Sequence, residues 1–158
     1  MSNKELLQQF YSAFSEGNAE RMVACYHDNV TFEDPAFGVL RGDEAKGMWR
    51  MLLSRRSDGT TIEAKEIRAD GDSGTVVWMA EYTYGPKKRH VVNHITGSFR
   101  FADGKIIDHR DHFDMWAWTR QALGLSGYLL GWSSFMKKKV QATTNKLLQA
   151  FLAKEKQA

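Results

Sequence analysis

Apolar residues recur at three- and four-residue spacing in the first part of the chain and at every second position later, so helices are expected first and strands after them. Leu7, Phe10, Tyr11 and Phe14 make one helical stripe, and Gly17 follows where a helix would stop. Asn18 is placed to cap a second helix with Met22, Cys25 and Tyr26 on one face, ending at the turn-prone pair Asp28-Asn29. Val30 to Asp34 alternates as a short strand stopped by Pro35. Gly42-Asp43 opens a third helix, with Asp43 as cap and Met48, Trp49, Leu52 and Leu53 on its apolar side. From residue 61 the period of two predicts strands near 61–70, 75–84, 90–102 and 105–115. The short links Asp70-Gly71-Asp72-Ser73-Gly74, Gly85-Pro86-Lys87-Lys88 and Asp103-Gly104 make successive strands antiparallel neighbours. Helices followed by a meander define an α+β domain whose N-terminal helices pack on a curved antiparallel sheet and enclose a small pocket.

The pattern changes again near the C-terminus. Trp116 to Leu123 reads as a short helix, Gly124 to Gly131 as a loop or turn, and Ser134 to Lys154 as a longer helix. Met136, Val140, Thr143, Leu147 and Phe151 form the stripe of that last helix, and lysines fill much of the remainder. The extension is expected to pack on its own domain or on a partner subunit. A lid or membrane-surface contact is the sharper alternative, because Tyr128-Leu129-Leu130-Gly131-Trp132 precedes basic residues.

Composition narrows the class. The 158 residues, 42% hydrophobic and 26% charged, suit one globular domain. No apolar run approaches the roughly 20 residues of a membrane helix, and the polar Met-Ser-Asn-Lys-Glu start lacks the apolar region of a secretory signal. A cytoplasmic protein is expected. Cys25 is the only cysteine, which excludes an internal disulfide and a multi-cysteine metal site and leaves a buried small hydrophobe. The net charge of +3 belongs to the tail, since residues 137–158 hold six lysines against one glutamate and the preceding body is net negative. The body has no basic stripe interleaved with stacking aromatics, so nucleic acid is not an expected partner.

Strand alternation selects the candidate chemistry. In the last strand Ile107, His109, Asp111, Phe113 and Met115 share one face, and Ile106, Asp108, Arg110, His112 and Asp114 the other. One strand earlier Asn93, Ile95, Gly97, Phe99 and Phe101 form the more apolar set. Asn93, His109 and Asp111 therefore point toward the apolar side, where an unpartnered polar group costs on the order of 1–3 kcal/mol. Such groups pair with one another or line a wet cavity. His109 and Asp111 point away from His112 and Asp114, so too few ligands converge for a zinc or iron site. No phosphate-binding glycine loop or Gly-x-Ser-x-Gly elbow is present. No metal or cofactor is expected.

The element order, the Thr31-Phe32-Glu33-Asp34-Pro35 strand end, the Gly42-Asp43-Glu44-Ala45 helix start and the run from Asp103-Gly104-Lys105-Ile106 to Asp111-His112-Phe113-Asp114 carry a family resemblance. Over residues 3 to about 122 the chain resembles the ketosteroid isomerase-like and SnoaL-like proteins of the nuclear transport factor 2-like superfamily. The resemblance implies a cone-shaped pocket in a domain of residues 1–122, a helical extension of residues 123–158, and a homodimer formed through the open face of the sheet. It leaves isomerase, cyclase, dehydratase and hydrolase chemistry open, as well as no chemistry at all. Asp34 falls where steroid isomerases keep the carboxylate that abstracts a proton. Their oxyanion-binding tyrosine and acid are matched by Phe10 and Gly97, and Tyr11 is turned from the needed direction by about 100°, so steroid isomerisation is not expected. The last strand is similar to that of limonene epoxide hydrolase, with Asp111 on its water-activating aspartate. The arginine and second aspartate of that scheme have no counterpart near Val77, Trp78, Met79 and Ala80. SnoaL-type cyclases also use an acid on the last strand.

The expectation is a small-molecule enzyme in which Asp34 and Asp111 line one pocket, one as general base and the other as acid or orienting group. His109 would assist, and Asn93, Trp78, Phe99, Phe113 and Tyr11 would hold a small apolar ligand. The apolar lining would have to raise an ordinary aspartate from near 3.9. The alternative is a non-catalytic ligand-binding or dimeric assembly module, with Asp34 organising the Pro35 turn and Asp111 paired to His109 or Arg110.

Overall fold

In the computed structural model, which describes residues 1–157, the first helix α1 (Asn3–Ser15) opens with a reciprocal cap. Ser2 Oγ accepts from the Glu5 amide at 3.1 Å and the Glu5 carboxylate accepts from the Ser2 amide at 2.7 Å. Its stripe of Leu7, Phe10, Tyr11 and Phe14 is buried. The short α2 (Ala19–Val23) is capped by Asn18. Then come β1 (Tyr26–Asp34), β2 (Gly38–Arg41), α3 (Asp43–Ser54), β3 (Thr61–Asp70), β4 (Ser73–Tyr84), β5 (Arg89–Ala102), β6 (Lys105–His112), α4 (Met115–Leu123), α5 (Leu125–Leu130) and α6 (Ser134–Gln157). The six strands lie in the order β2-β1-β6-β5-β4-β3. Strands β3 to β6 form the expected antiparallel meander, while β1 runs parallel to β6. The sheet is thus mixed, because β1 joins the far edge of a meander that begins only after α3. Helices α1 and α3 cover one face and bury a single aromatic-rich core against it.

Several boundaries differ from the pattern reading. Strand β1 starts at Tyr26, so Cys25 and Tyr26 leave the second helix, and Asp28-Asn29 sits inside the strand at a register shift between Tyr26 and Thr31. The four-residue β2 is too short to show alternation. Helix α3 is entered through Gly42 at φ 54° with no side-chain cap, and Asp43 is its first residue rather than its cap. An irregularity between Arg100 and Phe101 in the β5–β6 ladder puts Ile106 into the core instead of Ile107, but His109 and Asp111 still face inward. Strand β6 stops at His112, because Asp114 Oδ1 accepts from the Trp116 and Ala117 amides at 3.0 and 3.1 Å and starts α4. Residues 125–130 are helical rather than loop.

Helix α6 returns across the molecule and packs on α3. Leu148 is fully buried, and Gly47 of α3 lies under Leu152 where a Cβ would collide with it. Three α6 side chains donate to the loop after β1: Gln141 to Pro35 O at 3.0 Å, Thr144 to Ala36 O at 2.7 Å and Asn145 to Phe37 O at 2.8 Å. The extension is therefore tied to the segment that carries Asp34.

Candidate functional site

A cavity of about 330 Å³ opens between α3, α6 and the concave face of the sheet. Its wall is largely apolar, with Trp78 and Phe113 from the sheet side and Leu147 from α6. Asp34, Asn93 and Asp111 supply polar groups, and Thr144 adds a hydroxyl from α6.

Asp34 ends β1 at the start of a tight turn. Its Oδ1 accepts from the Ala36 amide at 3.0 Å and the Phe37 amide at 2.6 Å, the local pattern by which an aspartate organises a turn. Oδ2 has no hydrogen-bond partner among the described residues and is not sealed from the cavity. Burial of the carboxyl group pushes its pKa up to about 7; the two amides pull the other way, and the charge of nearby Asp111 pushes further upward. One side chain is thus both the turn organiser and a carboxyl group poised near neutrality.

Asp111 lies at the end of a buried hydrogen-bonded chain. Trp49 Nε1 donates to the Tyr26 hydroxyl at 2.7 Å, that hydroxyl meets His109 Nδ1 at 2.7 Å, and His109 Nε2 meets Asp111 Oδ1 at 2.9 Å. Trp78 Nε1 adds a longer bond to the same oxygen at 3.4 Å. Burial raises the Tyr26 phenol well above its ordinary range, so it keeps its proton and donates to Nδ1. A neutral imidazole with its proton on Nε2 then satisfies every member, with Asp111 as the final acceptor. Asp111 Oδ2 has no hydrogen-bond partner among the described residues and retains access to the cavity. Arg110 is on the opposite face, bonded to Asp108 at 3.0 Å and Glu33 at 3.4 Å, and takes no part.

Of the residues singled out in the sequence, Asp34, Asp111, Asn93, Trp78 and Phe113 line the cavity together. His109, Phe99 and Tyr11 lie behind its wall. His109 is fully buried with Phe99 stacked on it at 4.3 Å between ring centroids, and Tyr11 packs on Trp78 at 5.7 Å. The Tyr11 hydroxyl is buried without a hydrogen-bond partner among the described residues. Phe10 is a core residue against His109, and Gly97 pairs with Asp111 in the β5–β6 ladder. Tyr26 and Trp49 were not singled out. The periodicity puts Tyr26 on a helix face and Trp49 on the apolar side of the third helix, and no short-range pattern connects either to His109. Cys25 is buried, its thiol pushed up by that burial, and faces Arg21 O at 3.4 Å. His27, His90 and His94 lie away from the cavity. Among the described residues no three His, Cys, Asp or Glu side chains converge as metal ligands.

Helices packed on a six-stranded mixed sheet beside a pocket give the nuclear transport factor 2-like fold, which several similar solved structures share. The SnoaL-like domain model matches residues 7–109, and the chain belongs to that family. SalBIII, an epoxide hydrolase/cyclase-like enzyme with a role in pyran ring formation in the polyether salinomycin, is 27% identical, with 71% of this chain and 90% of that one covered at a TM-score of 0.62. An epoxide hydrolase from M. tuberculosis of the LEH-like kind is 24% identical over 79% of this chain and 92% of its own, with a TM-score of 0.63. TsrD from Streptomyces laurentii is 20% identical over 79% and 99%, with a TM-score of 0.66. The last two likenesses concern the fold alone. No curated protein matches the chain.

Proposed function

We propose that the protein is a small-molecule enzyme that performs general acid–base chemistry on an apolar substrate in this cavity. The observation that carries the reading is Asp34, a carboxyl group raised to about 7 with one oxygen open to an apolar cavity that also holds Asp111. Two carboxyl groups in unlike surroundings take unlike roles. Asp34 retains a proton near neutrality and serves as the acid. Asp111, the acceptor at the end of the chain from Trp49, serves as the base, and His109 is a positioning residue that fixes its Oδ1.

The likeness to SalBIII supports ring-forming or ring-opening chemistry at an epoxide or a comparable electrophile. In such a step Asp111 Oδ2 takes the proton of a hydroxyl group or water, and the freed oxygen forms a bond to an epoxide carbon. The carbon–oxygen bond of the epoxide breaks, and its oxygen takes the proton of Asp34. Asp34 ends ionised and Asp111 protonated, and one proton transfer through solvent restores the pair. With an internal hydroxyl group the product is an isomer; with water it is a diol.

A panel of epoxides and epoxy alcohols such as 4,5-epoxypentan-1-ol tests this. Turnover should fall by roughly 10²–10⁴-fold in Asp34→Asn and in Asp111→Asn. In the wild type it should decline as pH rises through about 7, where Asp34 loses its proton. Unchanged turnover in Asp34→Asn removes the assignment. A binding module is the second reading, favoured by Asp111 already being held by His109 and Trp78 as a structural carboxylate would be; it requires ligand binding without turnover. Under either reading we propose a homodimer, which rests on family resemblance and whose mass light scattering reports directly, in the cytoplasm, which rests on the composition and the polar start of the chain.

A further inference from the structure

Outside the cavity the largest unexplained feature is an apolar ridge on α5 and the start of α6. Leu125 is 75% exposed, Trp132 73% and Phe135 68%, with Tyr128 and Leu129 more than half exposed beside them. None of these side chains lines the cavity. The ridge is held in place from beneath, because Gly127 and Gly131 bring α5 directly onto Thr119 of α4 and Trp132 Nε1 donates to Leu129 O at 2.9 Å. Its aromatic groups therefore project from an ordered platform.

Cations adjoin this ridge. Trp116, Trp132 and Lys137 border one shallow cleft; its single carboxylate, Asp114, is taken by the α4 amides. Lys138 and Lys139 follow Phe135 by three and four positions, and Lys146 by eleven, so all three extend its side of α6 and all are exposed. From Leu125 to Lys154 the sequence contains no aspartate or glutamate. The opposite side of α6 is occupied by α3 and the 35–37 loop.

We propose that this ridge docks the protein on an anionic lipid surface, with Trp132, Phe135 and the leucines in the headgroup boundary and Lys137, Lys138 and Lys139 against lipid phosphates. An exposed aromatic edge bordered by lysines has the amphipathic composition of an interfacial element. Charge decides against a second copy as occupant: an isologous contact would set the lysine run against itself, with no carboxylate in the segment to answer it. Among the described residues no helix is long and apolar enough to cross a membrane, so the contact proposed is with one leaflet. This inference is independent of the acid–base reading.

Co-sedimentation of the full chain with phosphatidylcholine vesicles, and with an equimolar mixture of phosphatidylcholine and phosphatidylglycerol, tests it. Binding to the mixed vesicles should be at least roughly tenfold tighter and should weaken with salt. Trp132→Ser with Phe135→Ser, and separately Lys137→Gln, Lys138→Gln and Lys139→Gln together, should each weaken it by roughly tenfold. These positions are exposed, and circular dichroism verifies that the variants keep the fold. Absent or equal binding to the two vesicle types overturns the proposal. So does a wild-type dimer that dissociates on Trp132→Ser with Phe135→Ser, which assigns the ridge to a second copy.

Discussion

Asp34 shows how one residue couples stability to chemistry. In the unfolded chain its carboxyl group titrates near 3.8, and in the folded protein near 7. Between these values the folded state binds more protons than the unfolded state, so stability falls as pH rises across that window and the full cost is present above about 7. Asn at this position can still accept from the Ala36 and Phe37 amides but carries no charge. Asp34→Asn should therefore melt higher than wild type at pH 8, by on the order of 2 kcal/mol, and the difference should vanish toward pH 4. The figure is below the roughly 1.4 kcal/mol per pKa unit that full burial would give, because Oδ2 reaches the cavity. A stability difference that is flat with pH would refute this coupling. His109 is the opposite case: Leu at this position leaves the Tyr26 hydroxyl proton without its acceptor and Asp111 with only the long bond from Trp78, and a loss of about 2–4 kcal/mol is expected in denaturant unfolding. Alternation alone was enough to direct Asp111, His109 and Asn93 inward. It could not show that Tyr26 and Trp49 complete the chain to Asp111, because those partners come from different elements and meet only in the fold.

At the scale of elements, the helices and long strands were legible because each repeats its own period over ten or so residues. The misreadings concentrate where that condition fails. Strand β2 has four residues, the start of β1 is interrupted by a register shift, and α5 carries Gly127 and is followed by Gly131, which together mimic a turn sequence. In and just after α5 these glycines serve contact rather than flexibility, since a Cβ on Gly127 would fall on the Thr119 carbonyl and one on Gly131 on its hydroxyl. Gly127→Ala should cost about 1–3 kcal/mol by overpacking, although alanine is the better helix former by about 1 kcal/mol. A thermal melt no lower than wild type would mean that α5 is free to move off α4. The role of α6 was also hidden, because Gln141, Thr144 and Asn145 interrupt or flank its apolar stripe and read as solvated positions. They in fact hold the loop whose amides clamp Asp34. Asn145→Ala should cost only about 1 kcal/mol of stability but should reduce turnover on any substrate of Asp34 by a larger factor, measurable as a fall in kcat at unchanged melting temperature to within a few degrees.

Across the whole molecule the division is between a core that explains the fold and a cavity whose chemistry depends on its contents. The aromatic cluster of Phe10, Tyr26, Phe99 and His109 fills the space beneath the cavity, and Trp49 alone of their neighbours in that cluster reaches its lining, so the ligand contacts fall to Trp49 and the rest of the wall. At roughly 30 Å³ per water-sized group, 330 Å³ accommodates about ten heavy atoms. A bicyclic ketone such as α-tetralone is of that size and offers one acceptor. If that oxygen accepts from protonated Asp34, binding requires the proton and raises the effective pKa of the carboxyl group. Affinity in the wild type should then be constant below about 6, decline tenfold per pH unit well above 7, and become insensitive to pH in Asp34→Asn, whose amide can donate at every pH. Ala80→Phe, which fills the cavity from the β4 wall, should abolish the interaction in both backgrounds. Isothermal titration between pH 5 and 9 distinguishes the cases. A pH-independent wild-type affinity that Ala80→Phe still abolishes would mean that the ligand enters the cavity without meeting Asp34, and the acid would then have to be sought among the remaining polar groups of the wall.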